Sequence, residues 1–314
     1  MNNKPLIILT GPTSVGKTAI SIALAKAVNG EIISADSMQV YKGMDIGTAK
    51  ITREEQAGVP HYMIDELEPE EEFNVVKFQQ MSKKYIQQIY DKNKIPILVG
   101  GTGFYIQAVL YDIDFTENDT DTSYRTLLEQ LLQERGGEYL YELLKEKDPE
   151  SAETIHQNNS KRVIRALEFH KLTGEKISEH NKDQRNKQSP YQLCYFVLDK
   201  NRATLYETID QRVDLMLKAG LLEEVKKLAA LGHTREQVSM QGLGYKEILG
   251  FLEGEYTLEE AIEILKRDTR HFAKRQLTWF KREKDVTWVN KDNFTSDDEL
   301  LNYLLEILKV KEII

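Results

Sequence analysis

The chain of 314 residues carries 51 acidic and 42 basic side chains, a net charge of −9, with 40% hydrophobic and 30% charged residues. This is enough for a folded soluble core, either one large domain with an insertion or two domains. A single cysteine, Cys194, excludes an internal disulfide and any cysteine-built zinc site, and reads as a buried structural thiol in a reducing compartment. No apolar run reaches membrane-spanning length, and Met-Asn-Asn-Lys leads straight into the first strand without a signal peptide, so a cytoplasmic protein is expected.

The apolar run Leu6–Thr10 reads as a strand that enters Gly11-Pro-Thr-Ser-Val-Gly-Lys-Thr18, with Ala19–Lys26 continuing as a helix. The segment fits G-x-x-x-x-G-K-[ST], the phosphate-binding P-loop. Glycines let backbone N–H groups turn inward around phosphate oxygens, and the helix start points its positive dipole end at the same anion. Lys17 adds a cation, and the Thr18 hydroxyl can ligate Mg²⁺. Gly11, Pro12, Thr13, Ser14, Val15, Gly16, Lys17 and Thr18 are therefore candidate ligands for a diphosphate or polyphosphate, with Thr18 the candidate metal ligand. The motif does not choose between the two anions.

Ile32–Ala35 reads as a short buried strand that leaves Asp36 at its C-terminal end, the edge where open α/β sheets bind ligands. From position alone Asp36 can be a helix N-cap, a magnesium carboxylate or a general base. Residues 42–74 show little periodicity and read as a long surface excursion. Phe73–Tyr90 has helical spacing. Ile95–Val99 is a second apolar strand running into Gly100-Gly-Thr-Gly103, with a helix from Phe104 to Tyr111. This strand lacks the terminal Asp of a Walker B strand, and Thr102 lies where that group would act, which weakens the case for a conventional ATPase.

The segments Tyr124–Glu134, Glu138–Lys147 and Ser160–Leu172 read as consecutive helices, with Asp148-Pro149 and Thr173-Gly174 as stops. Glu175–Pro190 is polar and reads as mobile. The core resumes with a strand at Tyr191–Leu198 and a helix from Thr204 to Leu231, broken near Gly220 and carrying Arg212. Gln241–Glu247 is a glycine-flexed entry into a helix. Leu258–Arg282 is largely helical, with Arg267, Arg270, Lys274 and Lys281 on one face and Ile262, Leu265, Phe272 and Trp279 on a face toward the core. Val286–Val289 is a last strand, and a C-terminal helix starts at Asp297. The expected fold is α/β: a P-loop NTPase-like parallel-sheet core with an all-helical insertion, divided as 1–112 (core), 113–192 (insertion) and 193–314 (core).

The charge is segregated. Residues 266–284 hold eight Lys or Arg against two carboxylates, and residues 161–187 hold eight against four, whereas acids gather in 66–72, 112–121 and 292–299. A basic groove on an acidic body fits this map, and so do solvated helix faces.

Together these stretches resemble the tRNA dimethylallyltransferases (isopentenyltransferases), in their bacterial form. The resemblance is carried by Gly11–Thr18, Asp36-Ser-Met-Gln-Val-Tyr41 with Gly47-Thr-Ala-Lys50, Gly100-Gly-Thr-Gly-Phe-Tyr105, Lys161-Arg-Val-Ile-Arg-Ala-Leu-Glu168, Gly242-Leu-Gly-Tyr-Lys246 and Thr269–Trp279. These occur in family order and span nearly the whole chain. Ile51 stands where proline is expected and Tyr62 where histidine is common, and the lone cysteine fits an expectation that the zinc-finger extension of eukaryotic relatives is not used here. The resemblance implies transfer of the dimethylallyl group from dimethylallyl diphosphate to the exocyclic N6 amine of the adenosine 3′ to the anticodon, with release of diphosphate. It also implies Asp36 as general base and Thr102 as a hydrogen-bonding group near the allylic or diphosphate oxygen. Gly11–Thr18 with Mg²⁺ would take the leaving group, with Arg212 as a second contact. Asp36, Ser37, Met38 and Gln39 would meet the target base, which must be extruded from the anticodon stack. Lys161, Arg162, Val163, Ile164 and Arg165 would meet tRNA phosphates or flanking bases. Gly242, Gly244, Tyr245 and Lys246, with Arg270, Lys274 and Arg275, would add tRNA contacts. The implied partners are the tRNA anticodon stem-loop and dimethylallyl diphosphate, with no membrane, no obligate protein partner and a monomeric state. A P-loop small-molecule kinase that turns over ATP is the alternative enzyme, and a tRNA-binding module switched by a bound nucleotide is the non-enzymatic one.

Overall fold

The computed structural model describes residues 4–115 and 123–314; the first three residues and most of the acidic stretch 112–121 lie outside the described residues. The chain divides into two compact units, one of residues 1–110 and 190–314, the other of residues 111–189.

The larger unit begins with β1 (Pro5–Thr10), α1 (Lys17–Ala27), β2 (Gly30–Ala35), α2 (Arg53–Gln56), β3 (His61–Tyr62), α3 (Val75–Asp91), β4 (Ile95–Gly100) and α4 (Gly103–Leu110). The smaller unit contributes α5 (Ser123–Lys147), α6 (Pro149–Thr154), α7 (Ser160–Thr173) and α8 (Ile177–Asn186). The larger unit then resumes with β5 (Gln192–Asp199), α9 (Arg202–Lys218), α10 (Leu221–Ala230), α11 (Tyr245–Leu252), α12 (Leu258–Phe280), β6 (Val286–Asn290) and α13 (Asp297–Val310).

The six strands form one sheet of order β3-β2-β4-β1-β5-β6, and every pairing is parallel. A parallel sheet is covered on both faces, which is why its strands are apolar runs rather than alternating ones. Leu6, Ile7, Ile8 and Leu9 of β1 are all fully buried. Cys194 is buried in β5 opposite Ile7, and burial pushes its thiol up to about 11. The registers Thr10↔Gly100 and Ala35↔Gly100 end β1, β4 and β2 at one level, so the loops after them open together at the carboxyl edge of the sheet.

In the smaller unit the described elements are all helical. Its core is made by Leu128, Leu140 and Leu144 of α5, Ala152 of α6, and Val163, Ile164, Ala166 and Leu167 of α7. The two helices expected at Tyr124–Glu134 and Glu138–Lys147 are one element broken at Gly136, whose φ of 81° and ψ of 170° are non-helical.

Four expectations are corrected. The excursion 42–74 contains the edge strand β3, whose two residues pair with Ile32 and Ile33. Asp148-Pro149 does not only stop a helix: Asp148 caps α6, accepting from Ser151 N at 3.1 Å. The polar stretch Glu175–Pro190 holds α8, anchored where Ser178 N and Oγ donate to Asp148 at 3.0 and 2.6 Å. On α12 the buried stripe is Ala261, Leu265, Ala273, Gln276, Leu277 and Phe280, so Ile262, Phe272 and Trp279 are only partly buried. Among the described residues no helix is long and apolar enough to cross a membrane.

Candidate active site

The P-loop is built by β1 running out at Thr10, whose Oγ1 donates to Gly100 O at 2.7 Å and ties the end of β1 to the end of β4. Gly16 has φ 89° and sits as the left-handed residue that opens α1, a conformation costly for any side chain. The first N–H groups of a helix lack intrahelical partners, so Gly16, Lys17 and Thr18 present donors where an anion can dock. Lys17 Nζ is latched onto the loop itself, donating to Gly11 O at 2.9 Å and Pro12 O at 2.7 Å. Its pKa is lowered to about 7, first by desolvation and then by the charge of Arg212, with Asp36 opposing both. Burial likewise lowers Arg212, again against Asp36. Lys17, Arg212 and Asp36 are therefore within electrostatic reach of one another, which α9 achieves by carrying Arg212 to the carboxyl edge of the sheet.

Not every P-loop residue is available to a ligand. The Val15 side chain is buried in the core with Leu9 and Ile20. Thr13 N donates to Gln276 Oε1 at 2.8 Å. Val15 thus packs its side chain into the core, and the Thr13 amide is bonded to α12.

Asp36 ends β2 in a turn rather than a helix. Its Oδ1 accepts from Met38 N at 2.8 Å and Gln39 N at 3.4 Å, which shapes Asp36–Gln39 and leaves the other carboxylate oxygen free of hydrogen bonds among the described residues. Thr102 N donates to Ala35 O at 3.2 Å, so Thr102 starts α4 directly beside the origin of Asp36.

A second group of residues surrounds Met38 and Gln39. Gln39 Nε2 reaches Thr48 O at 3.3 Å and Ala49 O at 3.4 Å, and its Oε1 accepts from Ser34 Oγ at 3.1 Å. Met38 packs against Gly242. Loop 45–50 is fixed from two sides. The buried Lys50 Nζ donates to Tyr41 O at 2.7 Å and pairs with Asp45 and Asp65, each at 2.6 Å. From α10, Glu224 accepts Asp45 N at 3.0 Å, Ile46 N at 2.8 Å and Gly47 N at 3.1 Å, and also Tyr245 Oη at 2.6 Å.

The structure buries or pairs several of the residues expected to meet RNA. Tyr245 is fully buried, its hydroxyl spent on Glu224, and burial raises its pKa far above the usual phenol range. Gly244 N donates to Glu247 Oε2 at 2.8 Å. Val163 and Ile164 belong to the core of the smaller unit. Arg270 pairs with Asp210 of α9. Lys246 is half-buried at 3.4 Å from Glu247. Lys274 and Arg275 are exposed, beside a cavity of about 440 Å³ lined by His271, Thr278, Trp279 and Arg282. Lys161 and Arg162 are exposed at the start of α7 in the smaller unit, and Arg165 bonds Glu168 at 3.1 Å. Glu224 and Gln276 were absent from the sequence-derived set. Gln276 had a signal, an amide spaced to fall on an apolar stripe, whereas Glu224 looks like any surface carboxylate of α10.

No group of three or more His, Cys, Asp or Glu side chains among the described residues is placed to hold a metal. A magnesium ion at the Thr18 hydroxyl would therefore draw most of its ligands from diphosphate oxygens and water, a common mode for this ion. The donor set fits that mode.

A family model described as IPP transferase matches residues 39–283. The tRNA dimethylallyltransferase of Lachnoclostridium phytofermentans is 64% identical over 311 residues, 99% of each chain. That of Clostridioides difficile is 52% identical over 98% of this chain and 99% of its own. Among solved structures, the full-length tRNA isopentenylpyrophosphate transferase of Bacillus halodurans superposes with a TM-score of 0.73 at 44% identity, covering 98% of both chains. A eukaryotic dimethylallyltransferase acting on tRNA gives a TM-score of 0.86 at 31% identity, covering 98% of this chain and 80% of its own.

Proposed function

Because the chain belongs to the IPP transferase family, we propose that it transfers the dimethylallyl group from dimethylallyl diphosphate to the N6 amine of the adenosine 3′ to the anticodon of tRNA, releasing diphosphate. The observation that carries the assignment of roles is the shared sheet edge: the P-loop, Asp36 and Thr102 leave three adjacent strands at one level, with Thr102 N bonded to Ala35 O at 3.2 Å. The N–H groups that open α1, with Lys17 and Arg212, receive the diphosphate and stabilise the charge that develops as the allylic C–O bond breaks. When bound, Mg²⁺ at the Thr18 hydroxyl neutralises part of the same charge. The amine attacks the allylic carbon, its proton passes to the carboxylate of Asp36, and diphosphate departs with the bonding electrons. Thr102 hydrogen-bonds near the allylic or diphosphate oxygen. Ser37, Met38 and Gln39 line the target base, with loop 45–50 supporting Gln39. Lys274 and Arg275 of the larger unit, and Lys161 and Arg162 of the smaller one, offer exposed cations to tRNA phosphates.

The test is transfer of label from dimethylallyl diphosphate to unmodified tRNA with Mg²⁺, beside an ATP-hydrolysis control. Label in tRNA without an ATP requirement is expected, and Asp36→Ala should abolish it while tRNA binding persists. ATP consumption without label would replace this reading by the kinase one.

A further inference from the structure

Gln276 occupies a place unlike that of the basic residues on either side of it in sequence. It is 6% exposed, on the inner face of α12 with Ala273, Leu277 and Phe280. Burying an amide without hydrogen-bond partners is costly, and this one has two that belong to different loops. Its Oε1 accepts from Thr13 N at 2.8 Å, and its Nε2 donates to Gly101 O at 3.0 Å. One side chain thus bridges the P-loop to the Gly-Thr-Gly turn.

The turn is held on its other side as well. Trp279, one helical step from Gln276, packs its indole against Gly103 and meets Phe104 edge-on at 6.0 Å. There is no room for a β-carbon at Gly101 beside the Gln276 amide, or at Gly103 beside the indole. Gln276 and Trp279 therefore bracket Thr102 by gripping the residue before it and the residue after it. Two glycines allow the helix to come this close.

We propose that Gln276 is a positioning residue: it fixes the distance between the P-loop and Thr102, and so sets where the Thr102 hydroxyl stands relative to a bound diphosphate ester. The inference rests on the transfer reaction proposed above and on Thr102 acting in it. Gln276 touches neither substrate; it acts through Thr102 and through the backbone at Thr13. Misplacing a reacting group by about 1 Å costs on the order of a hundredfold in rate, and that is the size of effect expected.

The experiment is a double-mutant cycle between Gln276→Ala and Thr102→Ala in the labelled-transfer assay, with kcat and the KM for tRNA measured separately. Gln276→Ala should lower kcat about a hundredfold with the KM for tRNA within twofold of wild type. Thr102→Ala should then cost much less in that background than in the wild-type enzyme. Gln276→Glu keeps the acceptor for Thr13 N and loses the donor to Gly101 O, so it should fall between wild type and Gln276→Ala; it serves as the partner in the cycle if the alanine variant does not fold. Independent losses that multiply would overturn the proposal while leaving the reaction and Thr102 intact. So would an unchanged kcat, or a loss confined to tRNA KM. Full activity of Thr102→Ala would instead remove the role of Thr102, and this inference with it.

Discussion

Glu224 sits on α10, outside the chemistry, yet its loss should be felt at the base-reading end of the site. Its carboxylate accepts three successive backbone N–H groups, from Asp45, Ile46 and Gly47, and the Tyr245 hydroxyl, at 2.6–3.1 Å. In Glu224→Gln one oxygen becomes an amide donor facing donors, so about half of this set is lost and replaced by repulsion. A hydrogen bond to a charged group contributes about 1.5–3 kcal/mol net. Two such bonds, discounted because Glu224 is partly solvated, give a loss of about 2–4 kcal/mol. The loop they hold supplies the Thr48 and Ala49 carbonyls that fix Gln39. If the loosened loop must be re-ordered each time tRNA binds, kcat/KM for tRNA should drop by about 30-fold or more, since 1.4 kcal/mol is a factor of ten. Binding of dimethylallyl diphosphate should stay unchanged, because no P-loop contact involves Glu224. Steady-state transfer with tRNA varied, together with direct diphosphate binding, decides it. A kcat/KM for tRNA within threefold of wild type, or an equal loss in diphosphate affinity, would refute the reasoning.

Lys17, lowered to about 7 chiefly by desolvation, should take up a proton when a diphosphate restores its favourable partner. Affinity should then fall as pH rises above about 7, approaching tenfold per unit; calorimetry in buffers of different ionisation heat that found no proton uptake would exclude this. Asp148 is buried, and although burial pushes its pKa up, hydrogen bonds from Ser151 and Ser178 outweigh this and hold it below the usual carboxylate value. Its contribution is therefore complete above the unfolded value of 3.8 and is lost as pH falls through the lower folded one. Asp148→Ala should destabilise the smaller unit by about 3 kcal/mol, read by denaturant unfolding. Lys274→Gln with Arg275→Gln should weaken tRNA binding across sequences and reduce the salt slope by about 2. Arg270→Gln should act mainly on stability, because its charge is already paired with Asp210.

The parts of the fold that could be read from sequence are those whose stability is local or periodic. Gly16 and Lys17 at fixed spacing after an apolar strand define a P-loop wherever they occur, and β1, β4 and β5 are largely apolar runs because both sheet faces are covered, with β2 apolar around the polar Glu31 and Ser34. The two-residue β3 has no periodicity to detect and exists because Ile32 and Ile33 offer a free edge. Helix α8 is polar after Ile177, which packs on the core of the smaller unit, and Asp148 holds it through Ser178, a contact 30 residues away in sequence. The same limit applies to the site. Motif runs such as Lys161–Arg165 mix surface and core positions, so Val163 and Ile164 came along with exposed neighbours. Gln276 falls on the apolar stripe by its spacing from Phe272 and Trp279, but its partners, Thr13 N and Gly101 O, lie 263 and 175 residues away, so its bridging role was not legible.

The placement of the carboxylate also separates this site from phosphoryl-transfer enzymes with the same loop. Those enzymes carry an acidic residue at the end of the strand beside the P-loop strand, where it holds Mg²⁺ against the phosphates. Here that strand, β4, ends in Gly100, whose carbonyl accepts Thr10 Oγ1 and whose Cα is pressed on Ala35 with no space for a β-carbon. The carboxylate stands on β2, one strand further from β1. Adjacent strands lie about 4.8 Å apart, comparable with the step from a leaving phosphate across the bridging oxygen and allylic carbon to an attacking amine. On the transfer reaction proposed above, the P-loop is a holder for the leaving group, so a loop widespread among ATP-using proteins would serve a reaction in which the diphosphate belongs to the donor.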